Sequence, residues 1–307
     1  MRRAALGLLV ALALSAQAQA FGTIGSLGQS TEHEQITRRA LACGAITPCV
    51  EPLTLDELAG KPGTFGAVGY PDGSTVFLTP RAHCDNGDHG AFPGYPRTAA
   101  QGNQALLDCR AWMASRMDEA VTDAARLLDA SGRIRAAQVT LDCTFAGDMK
   151  GRAKCDVLQD LGIVFHAAQD FYAHSNWVDR AGAPYSPTNP PGMGQGGPAP
   201  FISLRSLPPV PPQLISGCYD IPESKCGDRI RHEALNKDKG PIGAAIGAGT
   251  TTRGAQNGNF QRAVEAATAD TQDKWGLLRE RLAARYGPQR AALMACAIAK
   301  DDPVRDC

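Results

Sequence analysis

Apolar residues recur every three or four positions along much of this chain, the spacing of one face of an α-helix. The clearest stretch is 155–178, where Val157, Leu158, Leu161, Val164, Phe165, Ala168 and Phe171 keep that period with no proline and a single glycine. The pattern predicts a helix that is apolar over most of its circumference and therefore buried. Ser30-Thr31 followed by Glu32, His33 and Glu34 has capping-box chemistry ahead of an amphipathic helix, with His33 in its first turn. Further helices are expected over 103–130, closed by Ser131-Gly132, over 260–286 and 289–300, and as a short piece at 230–235. Residues 60–102 are rich in Gly, Pro and Asp and read as loop, with a short extended piece at 74–78.

Residues 183–212 hold ten of the chain's 21 prolines and cannot be regular helix. This stretch is expected to be an ordered flap near a site or a plain surface insertion, and 240–258 a flexible Gly/Thr-rich segment. No alternation of apolar and polar residues runs long enough for a sheet, and no repeat is evident. The expected fold is mainly α: one multi-helix domain over 21–307 with long loops and disulfides.

The N-terminus adds a compartment. Met1-Arg2-Arg3, an apolar run over 4–14 and the small-residue site Ala18-Gln19-Ala20 have the layout of a secretory signal peptide. The run is too short to span a bilayer, so it is read as cleaved and not as a transmembrane anchor. Phe21 then opens a mature chain of 287 residues in which 29 basic residues face 31 acidic ones. That balance argues against a dominant nucleic-acid footprint. All ten cysteines follow the cleavage site, which fits a secreted or periplasmic protein with up to five disulfides. The short spacings Cys43/Cys49, Cys143/Cys155 and Cys218/Cys226 read as local staples. No C-x-x-C is present, which disfavours a cysteine zinc site or redox motif.

Candidate chemistry lies on the central helix. His166, Asp170 and His174 stand at i, i+4 and i+8, and each step of four turns the side chain only about 40°, so the three share an arc of roughly 80°. Two imidazoles and a carboxylate on a buried helix are costly unless something satisfies them, and a divalent metal such as zinc does so. The other histidines also sit among ligand types. His33 lies between Glu32 and Glu34, His83 and His89 bracket Cys84-Asp85-Asn86-Gly87-Asp88, and His232 opens His232-Glu233-Ala234-Leu235-Asn236-Lys237-Asp238.

The run His166-x-x-x-Asp170-Phe171-Tyr172-x-His174-Ser175-Asn176-Trp177 resembles a signature of the zinc-dependent phospholipase C superfamily, in its Het-C-like branch. His33 with Ile36-Thr37 and Ala40-Leu41, the His83-Cys84-Asp85-Asn86 turn, and His232 with Leu235-Asn236-Lys237-Asp238 extend the likeness. The resemblance implies an all-helical protein carrying two or three zinc ions, one of them held by the amino nitrogen and carbonyl oxygen of Phe21. It implies metal-ligand roles for His33, His166, Asp170, His174 and His232, and for Asp85 a role as ligand or general base. Which of His83, Asp85, Asp88 and His89 binds is left open. Two departures stand out. The spacing here is x3/x3, where the phospholipase and nuclease branch has five residues before its second histidine. Asn236 stands where that branch has a glutamate, leaving Glu233 or Asp238 as substitutes.

A cluster of this kind suits phosphodiester hydrolysis, with Asp85 or Asp88 taking the proton of a water. Phospholipid is favoured over single-stranded nucleic acid as substrate, and small phosphodiesters also fit. Phe165 and Phe171 are expected in the core rather than in a pocket, and Ser175 and Asn176 are expected to terminate the helix. The expected protein is a secreted, phospholipase C-like zinc hydrolase. Its rivals are a catalytically silent, metal-stabilised interaction or toxin-type protein, and a nuclease of the same fold. A peptidase is disfavoured because His232-Glu233 lacks the second histidine of H-E-x-x-H.

Overall fold

The computed structural model describes residues 21–23, 25, 30–145 and 151–307. The expected signal peptide at 1–20 lies outside the described residues. Eight α-helices are present among them: α1 (Glu32–Leu41), α2 (Pro52–Ala59), α3 (Gly66–Gly69), α4 (Ala99–Ala124), α5 (Ala153–His174), α6 (Asn259–Tyr286), α7 (Pro288–Ala299) and α8 (Pro303–Asp306). Only isolated β-bridges accompany them. The fold is mainly α.

Helix α5 is the axis of the molecule. Nearly all of its 22 residues are buried, and α4, α3 and α6 pack around it. Phe165, Phe171 and Tyr172 are core side chains with no exposed surface. Gly162 lets α3 lie flush on this helix, because a Cβ there would stand 2.3 Å from the Ala67 backbone. That close approach brings the Val68 carbonyl to His166.

Several boundaries differ from the periodicity. Helix α4 begins four residues earlier than 103 because Thr98 and Gln101 form a reciprocal capping box there, and it ends at Ala124 in a 3-10 turn. At α1 the capping box does not form. Thr31 is left-handed with φ 53°, its side chain caps nothing, and Glu32 accepts from the Ser30 amide instead. The piece at Thr75–Leu78 is a 3-10 turn, not extended, with Ser74 Oγ accepting from the Val76 amide. The expected helix at 230–235 shrinks to a 3-10 turn at His232–Ala234. Helices α2 and α8, both opened by a proline, escaped the pattern because they are shorter than the window that reveals it.

All ten cysteines are paired: Cys43–Cys49, Cys84–Cys109, Cys143–Cys155, Cys218–Cys226 and Cys296–Cys307. Three of these are the local staples expected from spacing. Such a complement fits an oxidising compartment. Among the described residues no helix is long and apolar enough to cross a membrane.

The proline-rich segment is ordered by the residues just beyond α5. Ser175 is the C-cap. Asn176 holds the segment at both ends, donating to the carbonyls of Pro191 and Gln213, both at 2.9 Å, and accepting from the Ile215 amide at 3.0 Å. Trp177 Nε1 donates to Gly197 O. Asn176→Ala leaves these buried backbone groups without partners and is expected to destabilise the protein by about 2–4 kcal/mol. Urea unfolding with the disulfides intact measures this, and an unchanged midpoint would show that the segment is held by other contacts.

Candidate metal centre

Two groups of donor side chains meet on one face of α5. The first joins His166 and Asp170 of that helix to His33 from the first turn of α1, Asp72 from the turn after α3, and His83 after a 3-10 turn at Pro80–Ala82. His33 Nε2 stands 3.2 Å from Asp170 Oδ1. His166 Nε2 and His83 Nδ1 lie 3.0 and 2.9 Å from Asp170 Oδ2, and 3.0 Å from each other. Asp72 Oδ1 closes the group at 3.6 Å from His166 Nε2 and 3.9 Å from His83 Nδ1.

The second group is built on His174, the last residue of α5. Its Nδ1 is 3.1 Å from Asp85 Oδ1 and its Nε2 is 3.2 Å from Asp238 Oδ1. His232 faces the same two carboxylates at 3.4 and 3.2 Å.

Local backbone geometry aims these side chains. Cys84 and Asn86 are left-handed, at φ 55° and 66°, and turn the chain so that both His83 and Asp85 point at α5. The 84–109 disulfide ties this turn to α4. Gly217 lies against His232, where a Cβ would meet its Cα at 2.5 Å. Lys237, fully buried, donates to the Ser175 and Leu235 carbonyls and pairs with Asp179 at 2.9 Å. It thereby ties the end of α5 to the segment carrying His232 and Asp238.

Outer partners set the tautomers. His33 Nδ1–H donates to Gln169 Oε1 at 2.7 Å, and His166 Nδ1–H donates to the Val68 carbonyl at 2.9 Å. Each leaves Nε2 with its lone pair turned toward Asp170, the orientation a ligating imidazole needs. Gln169 is itself fixed by donating to Thr37 and Thr271.

The donor set fits divalent metal. His33 Nε2, His83 Nε2, Asp170 Oδ1, His174 Nε2 and Asp238 Oδ1 are buried without a hydrogen-bond partner, although His33 and His174 lie close to carboxylate oxygens. Close approach without hydrogen-bond geometry is what lone pairs sharing one cation would show. Three sets of three donors meet within 4.8 Å: His33, Asp72 and His166; His83, His166 and Asp170; and Asp85, His174 and His232. Imidazole and carboxylate together suit zinc and its neighbours among the transition metals.

No family model, curated protein or solved structure matches the chain. The metal-free electrostatics of the site point the same way as its geometry. Burial opposes charge on His166, yet Asp170 and Asp72 raise its pKa, and Asp85 and Asp238 raise that of His174 well above the usual imidazole value against the same cost. His232 is brought up to about 9, burial and the neighbouring His174 opposing and the carboxylates Asp238 and Asp85 prevailing. Asp170, Asp85 and Asp238 are held below the ordinary carboxylate range, because the facing imidazoles outweigh burial. Tyr219, beside His232, has its phenol pushed up to about 12 by burial first and then by Asp85, Asp72 and Glu223.

Of the residues singled out in the sequence, His33, His83, Asp85, His166, Asp170, His174 and His232 converge here. Phe21 is buried with its ring edge-on to His33 at a centroid distance of 5.9 Å. His89 does not join either group; its pKa is lowered by burial, and it lines a cavity with Phe92 and Ile230. Asp88 is occupied by Arg97 and Arg229 at 2.7 and 3.0 Å and by the Tyr95 hydroxyl, and so is structural. Of the two substitutes for a missing acid, Asp238 faces the site and Glu233 does not. Asp72 was missed: it is one of several aspartates in a loop, in Pro71-Asp72-Gly73, and only the fold shows its partners.

Proposed function

We propose that the protein is a zinc-dependent hydrolase of phosphoric ester bonds, akin to the phospholipase C superfamily and its Het-C-like branch. The observation that carries this reading is the convergence of nine His and Asp side chains on one face of α5, five of which keep a buried atom without a hydrogen-bond partner. His33, Asp72, His83, His166 and Asp170 would hold one part of the metal, with the ring of Phe21 packed edge-on to His33, and Asp85, His174, His232 and Asp238 the other. Bound there, divalent cations supply Lewis acidity toward a phosphoryl oxygen and make a water more acidic.

The chain's own groups divide the remaining tasks. Asp85 is enclosed by two imidazoles and serves as ligand or orienting carboxylate. Asp72 is the one carboxylate of the set with appreciable exposure, 13% of its side chain, and is the better placed to accept a proton from solvent. Phospholipid is the favoured substrate and nucleic acid the alternative. An exported location accompanies this reading.

The enclosure of Asp85, His174, His232 and Asp238 also supports a second reading, in which the metal is structural and the protein acts without turnover. Metal analysis by inductively coupled plasma mass spectrometry on wild type and His166→Ala/His174→Ala separates the possibilities. Two or three zinc ions per chain, lost in the double variant, are expected. Less than one zinc in wild type would end the hydrolase reading. Zinc without turnover of phospholipid, oligonucleotide or small phosphodiester would favour the structural one.

A further inference from the structure

The nine side chains of the metal centre turn lone pairs toward one another, and the buried cation Lys237 is spent on two carbonyls and Asp179. A phosphoryl group brought to this site therefore meets metal-binding groups but, among them, no free hydrogen-bond donor for its remaining oxygens. One nearby side chain has such a donor.

Tyr219 follows a short backbone pairing that runs beside both α5 and His232. Gly217 N donates to His174 O, Cys218 N to Ile230 O, and His232 N to Cys218 O. Asn86, next to Asp85, grips Tyr219 on both sides of its peptide, donating to its carbonyl and accepting from its amide, both at 3.2 Å. The Cys218–Cys226 disulfide closes the loop that carries it. Tyr219 is thus anchored by neighbours of three of the donors, which is more than a surface tyrosine requires.

Its ring lies 5.7 Å from that of His232 at an interplanar angle of 58°. The residue is half-buried, and its hydroxyl has no hydrogen-bond partner among the described residues. It also feels the carboxylates of both groups, Asp85 in one and Asp72 in the other. A rigid phenol with a spare O–H at the edge of the centre is suited to an oxyanion, and a phenol remains a donor at neutral pH.

We infer that Tyr219 is a substrate-contacting residue whose hydroxyl donates a hydrogen bond to a non-bridging oxygen of a phosphoryl group seated on the metal centre. The inference rests on the phosphoric ester reading above. No bond to Tyr219 forms or breaks; the phenol holds and orients the anion.

The test uses inorganic phosphate as the probe. Zinc-loaded wild type, Tyr219→Phe and Tyr219→Leu are titrated with phosphate by isothermal calorimetry, and zinc is counted on the same samples. Equal zinc in all three and phosphate affinity weakened about tenfold to a hundredfold in both variants is expected, the loss of one hydrogen bond to a charged group. Phosphate binding by Tyr219→Phe within twofold of wild type would overturn the assignment while leaving the hydrolase reading in place. Loss of zinc in Tyr219→Phe would overturn it in favour of a structural role. Zinc-loaded wild type that binds no phosphate would overturn the assignment together with the reading on which it rests.

Discussion

Asp170→Asn is expected to remove metal binding from the first donor group and to reduce any phosphodiester turnover by at least about 100-fold, since even partners one layer out from a metal change affinity or activity 10–100-fold. Asp170 is fully buried and faces three imidazoles, through Oδ1 to His33 and Oδ2 to His83 and His166. An amide is nearly the same shape but carries no charge. In the metal-free protein the change also removes the carboxylate that, against burial, raises the pKa of His166, and breaking a buried pair by neutralising one partner costs about 3–5 kcal/mol. Circular dichroism with zinc counting and a phosphodiesterase assay checks this. A folded Asp170→Asn with wild-type zinc would show that the carboxylate is a structural counter-ion only.

The second large effect is a reversal of pH dependence by metal. In the metal-free protein the raised pKa values of His166, His174 and His232 contribute stability that is fully present below the unfolded imidazole value of about 6.5. It is lost as pH rises through the folded values, about 9 for His232. The lowered values of Asp85, Asp170 and Asp238 contribute stability above the unfolded carboxylate value of about 3.9, lost as pH falls through the folded values. Metal-free stability from this site is therefore greatest between about pH 4 and 6.5. Zinc requires neutral imidazoles, so its binding expels protons and strengthens with pH. At zinc a thousandfold above its dissociation constant the gain is about 4 kcal/mol. Thermal melts with chelator and with zinc should diverge little at pH 5 and widely at pH 8. A zinc-induced shift that is the same at both would mean that the protonated imidazoles are not the ligands.

Part of this site is legible in the sequence because helical periodicity converts spacing into direction. His166, Asp170 and His174 need only the 3.6-residue turn to be placed together, and the apolar run around them shows that they are buried. The roles of His33 and His232 came from resemblance, and the fold brings both residues to the same face of α5. Loop residues are another matter. Asp72 pairs with His166 across 94 positions, and nothing in a Pro-Asp-Gly turn separates a ligand from an exposed turn aspartate. Asp88 and His89 failed for the converse reason. They stand only three and four residues beyond Asp85, but the left-handed residues Cys84 and Asn86 swing the chain, and Asp88 leaves with two arginines. Helix boundaries were likewise decided by caps, the Thr98–Gln101 pair above all.

Because three donors ride on one continuous helix, the separation of the two groups is set by covalent geometry. Eight residues at a rise of 1.5 Å place His166 and His174 about 12 Å apart along the axis, a gauge that no loop rearrangement alters. Substitutions around the site are absorbed locally, but length changes are not. One residue inserted between Asp170 and His174 rotates the histidine by about 100°, away from Asp85 and Asp238. Loops that feed the centre can change length away from their own donors, but the number of residues between the three helical donors is fixed.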